Sequence, residues 1–192
     1  MIPLDQNTRT ALVQRARAAI ARAIGVRPDA VTPVPARIPD PQVSGRERSR
    51  FGAFVTIRIN GQLRGCIGVP EADLPLVDAV ERCAVSAALS DPRFPPLSEA
   101  EWKDIDLELS LLGPIELVGD LRDIVVGRDG LIVESGRSRG LLLPQVAVEW
   151  QWDAAEFAAQ ACIKAGLPRD AVMTGAKLFK FEAEVFGDSE AY

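Results

Sequence analysis

There is no histidine in this 192-residue sequence. Histidine is the side chain whose ordinary pKa lies closest to neutrality. Its absence removes Ser–His and Cys–His dyads and nearly all catalytic zinc chemistry. A metal held by carboxylates alone is still open to the chain, but no motif supports one, and neither a metal nor a cofactor is expected. Cysteine is sparse as well. Cys66, Cys83 and Cys162 stand apart with no Cys-x-x-Cys pair, which argues against a disulfide framework. No apolar run approaches the ~18–20 residues that a membrane span needs. Asp5 and polar residues follow Met1 closely, so the basic-then-apolar order of a signal peptide is missing. A cytoplasmic protein is expected. No Gly-x-Gly-x-x-Gly or Walker loop falls between a strand and a helix, which argues against a doubly wound nucleotide fold.

What is present is ordinary for a soluble globular protein: 47% hydrophobic and 26% charged residues, in a length that suits one large domain or two small ones. The net charge of −5 and pI near 4.9 make non-specific attraction to phosphate backbones weak, so nucleic acid is not an expected partner. The cations are mostly arginine and unevenly spread. Arg37, Arg46, Arg48, Arg50, Arg58 and Arg64 crowd one third of the chain, and Arg122, Arg128, Arg137 and Arg139 form a second group. Arginine suits bidentate contact with carboxylate or phosphate. The plainer reading is a solvated surface.

Asp5 to Ile24 has helical apolar spacing and Gly25 as its stop. Pro28, Pro33, Pro35, Pro39 and Pro41 then forbid regular structure up to a polar loop, Ser44 to Arg50. Phe51 to Ile59 alternates as a strand before Asn60-Gly61, a strong hairpin signal. A two-residue turn there would pair Ile59 with Gln62, Ile57 with Arg64 and Val55 with Cys66, setting Arg64 and Cys66 on one face. A helix over Leu74 to Leu89 follows. Ser98 and Glu101 then have capping-box spacing, and Ile105 to Leu111 alternates as a half-buried strand. The second half repeats this order: strand candidates at Val125-Val126, Leu131 to Val133 and Leu141 to Leu143, a helix from Asp153 to Ala165, and a last strand from Phe179 to Val185. The pattern predicts an α+β protein of two β–α repeats on largely antiparallel sheet. In this reading the whole of 1–192 is a single domain: an N-terminal helix and Pro/Arg-rich loop over 1–50, a first repeat over 51–118 and a second over 119–192.

The chemistry concentrates in Leu63-Arg64-Gly65-Cys66-Ile67-Gly68. A thiol beside Arg64, among amides freed by Gly65 and Gly68, could be a thiolate nucleophile; equally, an unpaired cysteine on a strand is often a small core residue. Gly65 and Gly68 suggest a bulge, or a close approach by another backbone or a ligand. In Asp91-Pro92-Arg93-Phe94, Arg93 could join Arg64 on an anion while Asp91 caps the turn. Arg139 and Gln145 lie in a similar mixture in the second half. Glu108, Glu134 and Glu149 are possible acids, although glutamates on exposed strand faces are usually only solvated.

Leu63 to Gly68, Asp91 to Phe94, Gly130 to Val133, Gly140 to Ala147 and Lys164 to Leu167, in that order, resemble the AMMECR domain family, over about Phe51 to Phe186. Two departures stand out: Ala171-Val172, where members often carry an aromatic, and the proline-rich segment before Phe51. The resemblance implies an α+β fold of two repeats sharing a barrel-like sheet with flanking helices. It also implies a cleft near the glycine–cysteine motif; the ligand-binding candidates read from the residues are Arg64, Gly65, Gly68, Asp91, Arg93, Arg139 and Gln145, with Cys66 beside them. In such systems the domain accompanies Memo-type and radical SAM proteins. Two functions follow as expectations: an enzyme or enzyme component acting on a small anionic or nucleotide-like substrate, with Cys66 as the catalytic candidate, or a non-catalytic adaptor for those partners.

Overall fold

A computed structural model describes residues 4–27, 52–70 and 74–188. The proline-rich span and polar loop read from Pro28 to Arg50 lie outside these residues. The chain divides into two compact units, one of residues 2–112 with 184–192 and one of 113–183.

The first unit begins with α1 (Gln6–Ile24), whose first turn is closed by Asp5 accepting the Thr8 amide at 3.0 Å. Gly25, at φ 86°, ends it in the left-handed region. Strands β1 (Gly52–Ile59) and β2 (Gln62–Val69) form a hairpin. Its turn needs positive φ at both central residues, and Asn60 and Gly61 supply φ 52° and 76°. Helix α2 (Leu76–Leu89), a 3₁₀ segment (Glu99–Asp104) and β3 (Ile105–Leu112) complete the repeat. Both arms of the Ser98–Glu101 capping box are formed on the 3₁₀ segment. Strand β1 lies between β2 and β3, antiparallel to both. One sheet face carries Ala53, Val55, Ile57, Leu107, Leu109 and Leu111, all 0–2% exposed and packed on the apolar sides of α1 and α2. Burying each Leu, Ile or Val of this layer contributes about 1.5–3 kcal/mol.

The second unit holds β4 (Glu116–Leu117), β5 (Asp129–Ser135), β6 (Ser138–Leu142), α3 (Pro144–Glu149), α4 (Ala154–Lys164) and most of β7 (Lys177–Gly187). Strand β5 lies between β6 and β7, and β4 pairs with β7; all pairings are antiparallel. Leu131, Val133, Phe157, Ala161, Cys162 and Leu178 form its core. Asp153 caps α4 through the Glu156 amide. At the other end Leu167 N–H donates to the Cys162 carbonyl and Gly166 N–H to that of Ile163, a Schellman ending around Gly166 at φ 73°. Hairpin, helix, irregular segment and strand thus recur in both units, and the fold is α+β on antiparallel sheet.

Two local expectations are corrected. Val125-Val126 is not a strand. Buried Asp129, 1% exposed, accepts the Val125 amide at 2.9 Å and ties that segment into a turn ahead of β5. In the first hairpin the register slips after Arg58↔Leu63: Ile57 pairs with Gly65, Thr56 with Cys66 and Val55 with Ile67, leaving Arg64 as the extra residue of a bulge. The cause is α2. An added Cβ at Gly65 would stand 2.2 Å from the Ala87 carbonyl oxygen, so the residue opposite Ile57 under the helix has to be glycine. A one-residue slip reverses every side chain beyond it, so Cys66 turns away from Val55 and Ile57.

Candidate functional site

The bulge sets Arg64, Gly65, Cys66 and Gly68 within one strand, and the segment after α2 brings Asp91 and Arg93 to them. Asp91 is 4% exposed and its carboxylate is fully engaged. Oδ2 accepts the Cys66 amide at 2.9 Å and Arg93 Nη2 at 2.6 Å, while Oδ1 accepts the Arg93 amide and Nε at 3.1 and 2.9 Å. The Arg93 hydrogen bonds, helped by the Cys66 amide, hold its carboxyl far below the usual carboxylate range despite burial. Arg93 Nη2 also donates to the Cys66 carbonyl at 3.3 Å. Asp91 and Arg93 therefore grip both backbone groups of Cys66.

Arg64 is committed in the same way. Its Nε and Nη2 donate to Glu101 at 2.7 and 3.2 Å, and Nη1 donates to the Pro95 carbonyl at 2.9 Å. The Arg64 bonds, then the Ser98 amide, lower Glu101 from 4.5 to about 2. Arg64 and Arg93 both stand over the Phe94 ring, at 5.9 and 5.5 Å. The pair expected to clamp an anion is thus already satisfied by carboxylates of the chain itself.

The Cys66 side chain is half-buried, and Thr56 Oγ1 donates to its Sγ at 3.3 Å. Thr56 in turn stands opposite Glu108 on β3, so Cys66, Thr56 and Glu108 form one row across three strands. Gly68, Phe54 and Ser110 make the next row of the same face. The Phe54 ring fills the space above Gly68, where a Cβ would come within 2.2 Å of it. Thr56, Glu108 and Ser110 are 5%, 4% and 1% exposed, and Arg58 Nη2 lies 3.8 Å from the Glu108 carboxylate. This buried polar face was not legible as such. Glu108 reads as a solvated strand residue, and Thr56 and Ser110 carry no motif. The available signal was the strict alternation of β3 with leucine.

Arg139 and Gln145 belong to the second unit. Arg139 pairs across the hairpin with Glu134 at 2.9 Å, and Gln145 sits part-buried in the first turn of α3. Gly140 repeats the role of Gly65: an added Cβ would meet Ala165 N at 2.4 Å and Ala161 O at 2.8 Å, here under α4. Cys83 and Cys162 are core residues, and burial raises the Cys83 thiol above its usual range. Among the described residues, no group of three or more Cys, Asp and Glu is arranged to hold a metal ion, and no helix is long and apolar enough to cross a membrane. Surface depressions of about 540 and 550 Å³ lie elsewhere, one between α1 and α2 and one beside Leu117 and Met173.

Two hairpin–helix–strand repeats, each with a helix seated on a strand glycine, and a braced Leu-Arg-Gly-Cys-Ile-Gly strand define a class of small α+β proteins. The chain belongs to the AMMECR1 family, whose sequence pattern matches residues 13–186. A protein of Methanothermobacter thermautotrophicus is 51% identical over 146 residues, covering 72% of this chain and 76% of that protein. Protein MJ0810 of Methanocaldococcus jannaschii is 46% identical over 159 residues, 78% of each chain. The crystal structure of the uncharacterized protein PH0010 from Pyrococcus horikoshii is similar with a TM-score of 0.84 and 40% identity, covering 97% of this chain and 94% of that one.

Proposed function

We propose that this chain is the ligand-recognising component of an enzyme system, binding a small polar molecule on the face that carries Cys66, Thr56 and Glu108. The observation that carries the reading is the row itself: three polar side chains in register, two of them more than nine-tenths buried, on a sheet whose other face is the apolar core. A polar surface of this kind costs stability unless something is gained from it. Cys66 serves as a contact more readily than as a nucleophile, since the carboxylate bonded to its amide is held ionised by Arg93 and is a poor base. In this proposal the chain acts as one AMMECR-type domain in the cytoplasm, with residues 51–118 and 119–192 as its repeats. Memo-type and radical SAM proteins are its partners, as the family resemblance implies.

Native mass spectrometry of the protein purified from its own cells tests this. A non-covalently bound small molecule is expected, retained in Cys66→Ser and lost in Thr56→Val. A covalent adduct on Cys66 would instead establish thiol catalysis.

A pure adaptor is the second reading. It is favoured by Trp150, 66% exposed and stacked on Trp152 at 6.1 Å, next to Val148 at 57%.

A further inference from the structure

We infer that the second unit carries a separate groove for a small aliphatic carboxylate; this does not rest on the ligand face at Cys66. The depression of about 550 Å³ is lined by Leu117 and Met173, 65% and 79% exposed, with Val118, Leu121, Val172 and Leu178. Val118, Leu121 and Val172 pack on the core of that unit, so the groove floor is an outward extension of the core. Above Gly119, in the same lining, nothing stands within 4 Å of an added Cβ, and the space is open. Small-molecule sites are concave, mostly apolar and roughly 300–1,000 Å³ in volume. An exposed methionine adds an unbranched, adaptable side chain that moulds to an apolar guest.

The same lining selects the kind of guest. Val118 N–H donates to the Leu178 carbonyl at 2.8 Å, and Met173 N–H to that of Asp170 and Ala176 N–H to that of Ala171, both at 2.9 Å. A peptide laid along a sheet edge is held through main-chain hydrogen bonds, and these amides are already spent. An aliphatic chain asks for none. At the rim, Lys177 is exposed and has no ion pair among the described residues. Its place in the sheet shows why. In the row Arg139–Glu134–Lys177 one carboxylate stands between two cations, and Glu134 bonds Arg139 at 2.9 Å. Asp120, also in the lining, is matched by Arg122 at 2.6 Å. An apolar floor with an unmatched ammonium at its lip fits a ligand with an apolar body and a carboxylate end.

Octanoate, octylammonium and butyrate at matched ionic strength are the probes, followed by amide NMR shifts of the full chain. Octanoate is expected to give saturable shifts confined to residues 117–121 and 172–178. Octylammonium, with the same chain and opposite charge, should bind at least about fivefold more weakly. Butyrate, four methylenes shorter, should bind at least about tenfold more weakly. Lys177→Gln should weaken octanoate about threefold and narrow its lead over octylammonium. Met173→Ser should weaken both, while Ile163→Ser, an exposed apolar change on α4 outside the groove, should alter neither. If Met173→Ser fails to fold, Leu117→Ser, also at an exposed position, makes the same test. Equal or tighter binding of octylammonium would overturn the carboxylate assignment. Shifts scattered over both units, or none with either long-chain probe, would overturn the site itself and leave the reading of the Cys66 face untouched.

Discussion

Asp91 and Glu101 show how single residues hold this molecule in shape. Each carboxylate binds an arginine through two bonds and accepts backbone amides as well, two at Asp91 and one at Glu101, and each is held below its ordinary pKa. A depressed carboxyl contributes stability above its unfolded pKa and loses it as the pH falls through the folded value. For Glu101 the window runs from about 4.5 down to about 2; for Asp91 the loss extends lower. Urea unfolding across that range should show Glu101→Gln less stable than the parent at neutral pH, with the difference shrinking steadily on acidification. A constant difference would mean that the Arg64–Glu101 pair is not the source. The capping half of Glu101 was readable from its spacing to Ser98. Its bond to Arg64 was not, because 37 residues of chain separate them and only the bulge turns Arg64 that way.

At the scale of elements, most helix and strand positions followed from local chemistry: Asp5 and Asp153 as caps, Gly25 and Gly166 as stops, Asn60-Gly61 as a turn. The register of the first hairpin did not. A turn type fixes pairing only until the first irregularity, and the slip between Arg58 and Ile57 is imposed by α2, which sits on Gly65 from elsewhere in the sequence. That is why turn geometry alone sets Cys66 beside Val55 while the fold sets it beside Thr56, and why the polar face has no local signature in the hairpin. The same seating of a helix on Gly140 leads to a paired prediction. Gly65→Ala and Gly140→Ala should each cost about 1–3 kcal/mol or more in equilibrium unfolding, since backbone atoms stand where the methyl would go. Gly119→Ala, with nothing within 4 Å, should stay within about 0.5 kcal/mol. Equal effects at all three positions would contradict the packing argument.

Among the described residues, arginine is largely matched by carboxylates of the chain itself, as in the pairs Arg9–Glu184, Arg58–Glu108, Arg64–Glu101, Arg93–Asp91, Arg128–Asp129 and Arg139–Glu134. Combined with a net charge of −5, this predicts no salt-steep binding to RNA. Filter binding at low and moderate salt should give the same weak signal. A fall of about tenfold or more in affinity between them would show a phosphate-contacting face.

The grip of Asp91 and Arg93 on Cys66 has a consequence for how copies of this protein behave in concentrated solution. Among the described residues, strand β2 ends the strand order of its sheet and pairs with β1 alone. At Cys66, the carboxylate and guanidinium occupy the amide and carbonyl that a strand from a second molecule would need. An unprotected sheet margin is a template for strand addition and aggregation. Here two side chains take the place of a neighbouring strand and close that margin at Cys66.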